Sequence, residues 1–250
     1  DVNIELITCY NTVRDVPEEL IVSLKRIEDE YYSLANEELR KEFFLDVRSR
    51  FNAKGLSAVE NTTYFIFLNR TCFNGLYRVN RMGKFNVPFG KYTHPKICDA
   101  DTIRIDSELL KRVNILNGDF EATFDVATTN TLFYFDPPYR PLSDTSSFND
   151  YTKDSFNDDA QIRLKKFCDK ISKSGFSFML SNSDCKGKDR EDNFFDDLYS
   201  NYIIERVLAS RNINSNPSKR GKLTEILVHN YNNVKAVSSA KQVLDLNRCI

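Results

Sequence analysis

Apolar positions recur at helical spacing through the first part of the chain. Ile4 and Ile7, with Cys9 nearby, are followed by Leu20, Leu24 and Ile27. That spacing lines up one face of an α-helix. Pro17, just after Asp15, marks a break and a new helix start, because a first turn needs no N–H. Phe43, Phe44 and Val47 extend the apolar face, so residues 3–69 read as helical. The stretch 59–68 fits a buried helix, but its aromatic and β-branched content leaves a strand open. Beyond residue 70 the pattern changes. Gly75, Gly83, Gly90, Pro88 and Pro95 punctuate short aromatic runs. This predicts loops and a hairpin around Arg81-Met82-Gly83-Lys84.

From Asp99 onward, helical and strand-like runs alternate. The pattern predicts a helix over 99–112 and a strand over 113–116, which leads into Asn117-Gly118-Asp119-Phe120. A helical turn and a strand over 131–135 come after it. Residues 140–157 are rich in Ser, Thr, Asp and Asn and read as a long loop, of a kind that is usually either functional or disordered. Ala160, Leu164, Phe167, Cys168 and Ile171 mark one face of a helix, and Gly175 ends it. Next come a strand over 176–180 running into Ser181-Asn182-Ser183, a helix near 190–200 and a strand over 202–208. A polar loop over 210–222 and a strand over 224–230 complete the reading. Alternating elements of this kind imply an α/β protein with a mostly parallel sheet wrapped by helices. There are no internal repeats.

Composition narrows the class. The chain has 250 residues, 41% hydrophobic and 28% charged, with a net charge of −1. That suits one α/β domain with a smaller insertion. No apolar run is long enough to cross a bilayer, so no membrane partner is expected. No signal peptide opens the chain, which begins at Asp1. The six cysteines form no CxxC pair, and only His94 and His229 add imidazoles, so no metal site is expected. Reduced, buried thiols in a cytoplasm fit better. Basic residues cluster locally. Arg70, Arg78, Arg81, Lys84, Lys91 and Lys96 lie in 70–98 without an acid among them, as do Arg206, Arg211, Lys219, Arg220 and Lys222 in 206–224. Two such patches on a near-neutral protein can form a face for nucleic acid, or simply two solvated loops.

The sharpest chemical signal is Asp136-Pro137-Pro138-Tyr139 after the run Leu132-Phe133-Tyr134-Phe135. The prolines stop the strand. The turn they make is held at the strand's carboxyl end, where open α/β sheets bind ligands. An ionised Asp136 only accepts hydrogen bonds, and Tyr139 offers a flat ring. The pair suits a planar base bearing an exocyclic amine. Taken alone, the four residues also read as an ordinary strand end with a turn.

Further motifs occur in a telling order. Phe67-Leu68-Asn69-Arg70 leads into Phe73-Asn74-Gly75-Leu76-Tyr77-Arg78-Val79-Asn80. Then come Gly83-Lys84-Phe85-Asn86-Val87-Pro88-Phe89-Gly90-Lys91-Tyr92, Gly118-Asp119-Phe120, and Pro141-Leu142-Ser143-Asp144-Thr145-Ser146-Ser147-Phe148 after the Asp-Pro-Pro-Tyr motif. Leu180-Ser181-Asn182-Ser183 and Arg220-Gly221-Lys222-Leu223-Thr224-Glu225-Ile226-Leu227-Val228 complete the set. Together they resemble the Dam-like family of DNA adenine-N6 methyltransferases, which modify GATC sites. The resemblance covers the chain from Asp1 to about Tyr231.

The resemblance implies a fold and roles. It implies a Rossmann-like methyltransferase sheet with helices on both faces and a small inserted DNA-recognition domain. The catalytic domain would take 1–50 and 105–231, the recognition domain 51–104, and a tail 232–250. Asp136 and the Pro137 carbonyl would accept hydrogen bonds from adenine N6, with Pro138 completing the turn and Tyr139 stacking on a flipped base. S-adenosyl-L-methionine would be the methyl donor, held by Asp1 at its ribose and by Asp119 and Phe120 at its adenine, with Asp136 bordering it. Without the resemblance, Asp119 reads as a helix N-cap. Arg78 would read a guanine, Leu76 and Pro88 would touch central bases, and Phe73 and Asn74 would sit beside the flipped base. Arg81, Lys84 and Lys91 would contact phosphates. Tyr92, Asn80, Ser143, Arg220 and Lys222 would add DNA contacts.

One part of the family pattern has no counterpart here. The aromatic-x-Gly-x-Gly loop and an earlier lysine segment are absent, since no two glycines have GxG spacing. A fragment, a split enzyme completed by a second chain, and a rearranged order would each account for this, and a missing N-terminal piece is the expectation. The leading reading is an adenine methyltransferase acting on double-stranded DNA in a bacterial or phage-type cytoplasm, near the nucleoid. The rivals are a non-catalytic GATC-binding module and a cytosine-N4 methyltransferase.

Overall fold

A computed structural model of the protein describes residues 1–142, 156–210 and 222–232. Most of the loops expected at 140–157 and 210–222, nearly all of the tail, and Ser143 and Arg220 lie outside the described residues. The chain divides into two compact units, one spanning Asp1–Ala127 and the other taking in the described residues from Thr128 onward.

The first unit is built on helices, each started by a recognisable signal. Asn3 accepts from the N–H groups of Glu5 and Leu6 and starts α1, Ile4–Asp15. Pro17 opens α2, Pro17–Ser33, as the sequence predicts. Asn36 caps α3, Glu37–Ala53. Ser57 and Glu60 form a reciprocal capping box at the start of α4, Ala58–Thr71. That resolves 59–68 as helix. The β-branched residues on its buried side are threonines, and their hydroxyls find local partners. Thr63 and Thr71 bond the carbonyls of Val59 and Phe67, four residues back, and Thr62 bonds Thr12. Tyr31, Phe67 and Phe43 meet edge-on or tilted at the centre of the core. α5, Ala100–Leu110, packs on α1 and α2.

Residues 72–97 carry little regular structure but belong to the same core. Phe85, Val87 and Ile97 are buried among α2, α3 and α4 residues. Arg48 and Asn52 on α3 reach across and bond the backbone of Val87 and Phe85. Segment 51–104 therefore shares one hydrophobic core with residues 1–50.

The strand expected at 113–116 does not form. Val113 and Leu116 are exposed, and no neighbouring strand offers a ladder among the described residues. Instead the Leu116 carbonyl accepts from the Asp1 amino group, and the Gly118 N–H donates to the Asp1 carbonyl.

The second unit is a four-stranded sheet ordered β1-β2-β4-β3. β1 is Leu132–Phe135, β2 Ser177–Ser183, β3 Ile203–Ser210 and β4 Lys222–His229. α6, Asp158–Lys173, crosses between β1 and β2, which pair in parallel. Phe167 on α6 meets Phe133 and Phe135 edge-on, which seats the helix on that face. Gly175 ends the helix at φ 83°. The expected mostly parallel sheet is not what these strands form, because β4 runs antiparallel to both β2 and β3. For β3 and β4 the chain order suits this, since an antiparallel pair needs no helical crossover and only residues 211–221 separate the two strands. The helix expected near 190–200 resolves into α7, Cys185–Lys188, and α8, Phe194–Leu198.

Candidate active site

The Asp136-Pro137-Pro138-Tyr139 turn leaves β1 where β2 carries Ser181, Asn182 and Ser183. Phe135 is level with Leu180 in the parallel register, so Ser181 comes level with Asp136. Ser181 Oγ donates to Asp136 Oδ1 at 3.1 Å and receives the Tyr134 hydroxyl at 3.3 Å. One carboxylate oxygen is thus anchored while the Asp136 side stays exposed. Tyr139 is half-buried and donates its hydroxyl to Glu225 Oε2 at 3.3 Å. Burial raises its phenol pKa and the Ser181 hydrogen bond opposes, while the carboxylates of Glu225 and Asp136 push it up further. The phenol therefore stays neutral, and its hydroxyl donates to Glu225 on β4.

Arg140 closes the turn. Its guanidinium spans Asp158 on α6 at 2.9 Å and Asp192 at 2.6 Å, and lies 4.5 Å from the centre of the Phe194 ring. The Asp158 hydrogen bond is the main cause of its raised pKa, with burial opposing. Its carbonyl accepts from Ser183 Oγ at 2.5 Å, and its N–H donates to Asn182.

In the first unit, Asp1 lies against Asn117 and Gly118, the residues that lead into Asp119 and Phe120. The Asp1 carbonyl accepts from Gly118 N–H and Asn117 Nδ2, both at 3.0 Å, and its carboxylate accepts from Asn3 N–H at 2.7 Å. Gly118 makes this approach at φ 140°. Asp119 does cap a helical turn, the 3₁₀ turn Phe120–Val126, by accepting from Glu121 N–H.

Residues 72–92 follow directly from the end of α4. The Phe73 N–H donates to the Pro88 carbonyl, and Gly90 N–H to Thr71. Gly90 is required by space, since a Cβ there would lie 2.5 Å from the Cys72 carbonyl oxygen. Asn74 takes a left-handed conformation beside Gly75. The expected hairpin forms, with Val79 bridged to Phe85 and Asn80 Oδ1 accepting from the N–H groups of Met82 and Lys84. Arg78 donates from Nε to Asn86 Oδ1 at 2.8 Å and from Nη2 to the Asn86 carbonyl at 3.3 Å, rather than to an acid. Phe73, Leu76, Tyr77, Met82 and Tyr92 are exposed apolar or aromatic residues on this short stretch. Pro88, Arg81 and Lys84 are exposed too.

The basic patches are less unopposed than their sequence suggests. Lys91 pairs with Glu37, and Lys96 with Asp99. Arg206 bonds the buried Asp184 and also Asp196. Lys222 opens β4. Cys9 and Cys168 are buried, which pushes both thiols up to about 12, so they pack as small apolar groups. Among the described residues no helix is long and apolar enough to cross a membrane.

Sequence reasoning passed over Gln161, Arg140 and Glu225, which the structure brings to the turn. Gln161 carried a signal: it falls in phase with Leu164, Cys168 and Ile171 on the buried face of α6, where a polar residue needs a partner.

An α/β sheet with an Asp-Pro-Pro-Tyr turn anchored at a strand end defines a methyltransferase that acts on an exocyclic amine. More specifically, the chain belongs to the D12 class of N6 adenine-specific DNA methyltransferases, whose family model matches residues 1–213. It is 47% identical over 234 residues to the type II methyltransferase M.MjaIII of Methanocaldococcus jannaschii, covering 92% of this chain and 78% of that protein. The type II methyltransferase M1.LlaDCHI of Lactococcus lactis is 39% identical, covering 93% and 78%. A DNA adenine methylase of Vibrio cholerae is 34% identical, covering 91% and 77%. The chain is an adenine-specific DNA methyltransferase.

Proposed function

We propose that the protein methylates adenine N6 in double-stranded DNA at GATC, with S-adenosyl-L-methionine as donor and the target base flipped out of the helix. The observation that carries this reading is Asp136, held by Ser181 at the end of β1 with the Tyr139 ring beside it. Adenine N6 is a poor nucleophile because its lone pair is delocalised into the ring. A carboxylate and the Pro137 carbonyl accepting its two hydrogens favour a tetrahedral nitrogen and stabilise the charge that develops there. Tyr139, pinned at its hydroxyl by Glu225, offers the face on which the extrahelical base stacks.

The donor fits the residues in the first unit. Asp1 and Asp119 are exposed carboxylates joined through Asn117 and Gly118, an acceptor-rich set suited to ribose hydroxyls and an exocyclic amine. Bound there, S-adenosyl-L-methionine supplies an electrophilic methyl group on a sulfonium, which needs no metal. Asp1 would hold the ribose, and Asp119 with Phe120 the adenine. The Rossmann-like sheet, with helices on both faces, is part of the same reading.

Segment 51–104 is proposed as the recognition region, carried on the helical core. Arg78, oriented by Asn86, would read a guanine, while Arg81 and Lys84 would contact phosphates. GATC as the site is supported by the Asn74–Asn80 and Phe85–Gly90 motifs. The type II names of two relatives support a role beside a restriction enzyme.

The test is transfer of labelled methyl from S-adenosyl-L-methionine to a GATC duplex, beside the same duplex already N6-methylated. Label in the first alone, recovered as N6-methyladenine, is the expected result. Equal label in both, or recovery as N4-methylcytosine, would overturn the proposal.

A further inference from the structure

The turn that carries Asp136 and Tyr139 has few donors of its own, because Pro137 and Pro138 have no N–H. Two side-chain amides supply the hold. The Pro138 carbonyl can only accept, so Gln161 on α6 must present Nε2, at 3.1 Å. That turns Gln161 Oε1 toward Asn182 on β2, which must present Nδ2, at 3.2 Å. Asn182 Oδ1 then accepts from the N–H of Arg140 at 3.0 Å and from that of Ser183 at 2.9 Å. Each amide's orientation is dictated by the next partner, from the helix through the sheet to the turn. Both side chains are 0% exposed, so water cannot substitute for a lost bond.

We propose that Gln161 and Asn182 are positioning residues for methyl transfer. Their relay fixes the backbone on both sides of Tyr139, and Ser181 fixes Asp136, so that ring and carboxylate meet the target base in one geometry. The inference rests on the roles assigned above to Asp136 and Tyr139. A buried amide pair that served only the core would close on itself or on its own elements. This one ends on Pro138 and Arg140, the two residues flanking the aromatic ring.

The effect expected is kinetic. A misplacement of about 1 Å at a reacting centre costs on the order of 100-fold in rate. Gln161→Glu keeps shape and volume but, once ionised, faces the Pro138 carbonyl with a second acceptor. Burial raises the pKa of that carboxyl, so above it the single-turnover rate, normalised to the folded fraction from circular dichroism, should fall by about 30- to 100-fold. Duplex affinity should hold. Lowering the pH protonates the introduced carboxyl, which can then donate to Pro138, so the variant's rate should recover toward wild type's in acid. Gln161→Leu should be slow at every pH. Independently of any methyl donor, the Arg140 amide should exchange faster with deuterium in both variants while β4 amides keep their protection.

Asp136→Ala, run in parallel, separates the two ideas. If it transfers methyl at the wild-type rate, the underlying reading fails. If it is inactive while both Gln161 variants run at the wild-type rate, or slow only in proportion to their unfolded fraction, the relay is structural and this inference falls.

Discussion

The turn proposed to carry the reaction and the segment proposed to read DNA differ in what they leave exposed. Residues 136–140 are fastened by side chains from α6, β2 and β4: Gln161, Ser181, Asn182, Ser183 and Glu225. Residues 73–92 rest on backbone hydrogen bonds, on Arg48 and Asn52 of α3 and on two deep anchors, Phe85 and Val87, while Phe73, Leu76, Met82 and Tyr92 face solvent. The difference matches the task proposed for each region. Bond making requires a carboxylate and a ring held within fractions of an ångström. A groove reader meets a partner that supplies contacts of its own, so exposed side chains suffice until DNA arrives. Substitutions in the turn should therefore strike rate, and substitutions in the recognition segment should strike affinity and site choice.

The largest test of that division is Asp136→Ala. Removing a preorganised group aimed at developing charge costs on the order of 100- to 1,000-fold, and here the group removed is the carboxylate proposed to accept from the amine. Transfer should fall by at least that much, with duplex binding by gel shift unchanged. Loss of binding in equal measure would erase the contrast between the regions.

Gly90→Ala attacks the other side. The added methyl would lie 2.5 Å from the Cys72 carbonyl oxygen and 2.6 Å from the Tyr92 ring. The oxygen is backbone and cannot yield alone, so the bridge between Cys72 and Phe89 must shift. Overpacking of this kind costs about 1–3 kcal/mol. A lower melting temperature and a raised KM for DNA are expected, with kcat at saturating duplex retained. A fall in kcat alone would tie the recognition segment to the chemistry.

Arg78→Ala should cost discrimination rather than rate. A bidentate arginine–guanine contact is worth about 1–3 kcal/mol against the wrong base. The ratio of transfer on GATC to transfer on a duplex with that guanine replaced should shrink accordingly. An unchanged ratio would remove Arg78 from base reading.

How much of this was legible in the chain depends on whether a signal is local. The strand at 132–135 and its stop at Pro137 were readable because both causes lie within a few residues. So were the start of α2 at Pro17 and the stop at Gly175. The stretch 113–116 misled because a β-prone pattern makes a strand only where a partner edge exists. Strand direction was equally hidden: alternation of elements says nothing of which strand inserts between two others, as β4 does. Arg206 read as an unopposed charge because its acids, Asp184 and Asp196, arrive through the fold rather than from its own stretch. The Gln161 relay was visible only as a polar residue out of place on an apolar face, since its partner is a carbonyl 23 residues away.

The smallest effect sharpens the comparison inside the recognition segment itself. Lys84 sits at the hairpin tip, and its N–H is held by Asn80 Oδ1 at 3.1 Å, so removing its side chain leaves the turn's hydrogen bond in place. A lysine that contacts a phosphate positions the duplex without carrying sequence information. Lys84→Ala should therefore weaken GATC and altered sites by the same few-fold factor. The slope of log affinity against log salt should become shallower by about 0.9, the release of one counterion. Arg78→Ala should alter the ratio between sites at every salt concentration. If Lys84→Ala also changes that ratio, the hairpin tip reads bases, and the split between a base-reading arginine and a phosphate-positioning tip is wrong.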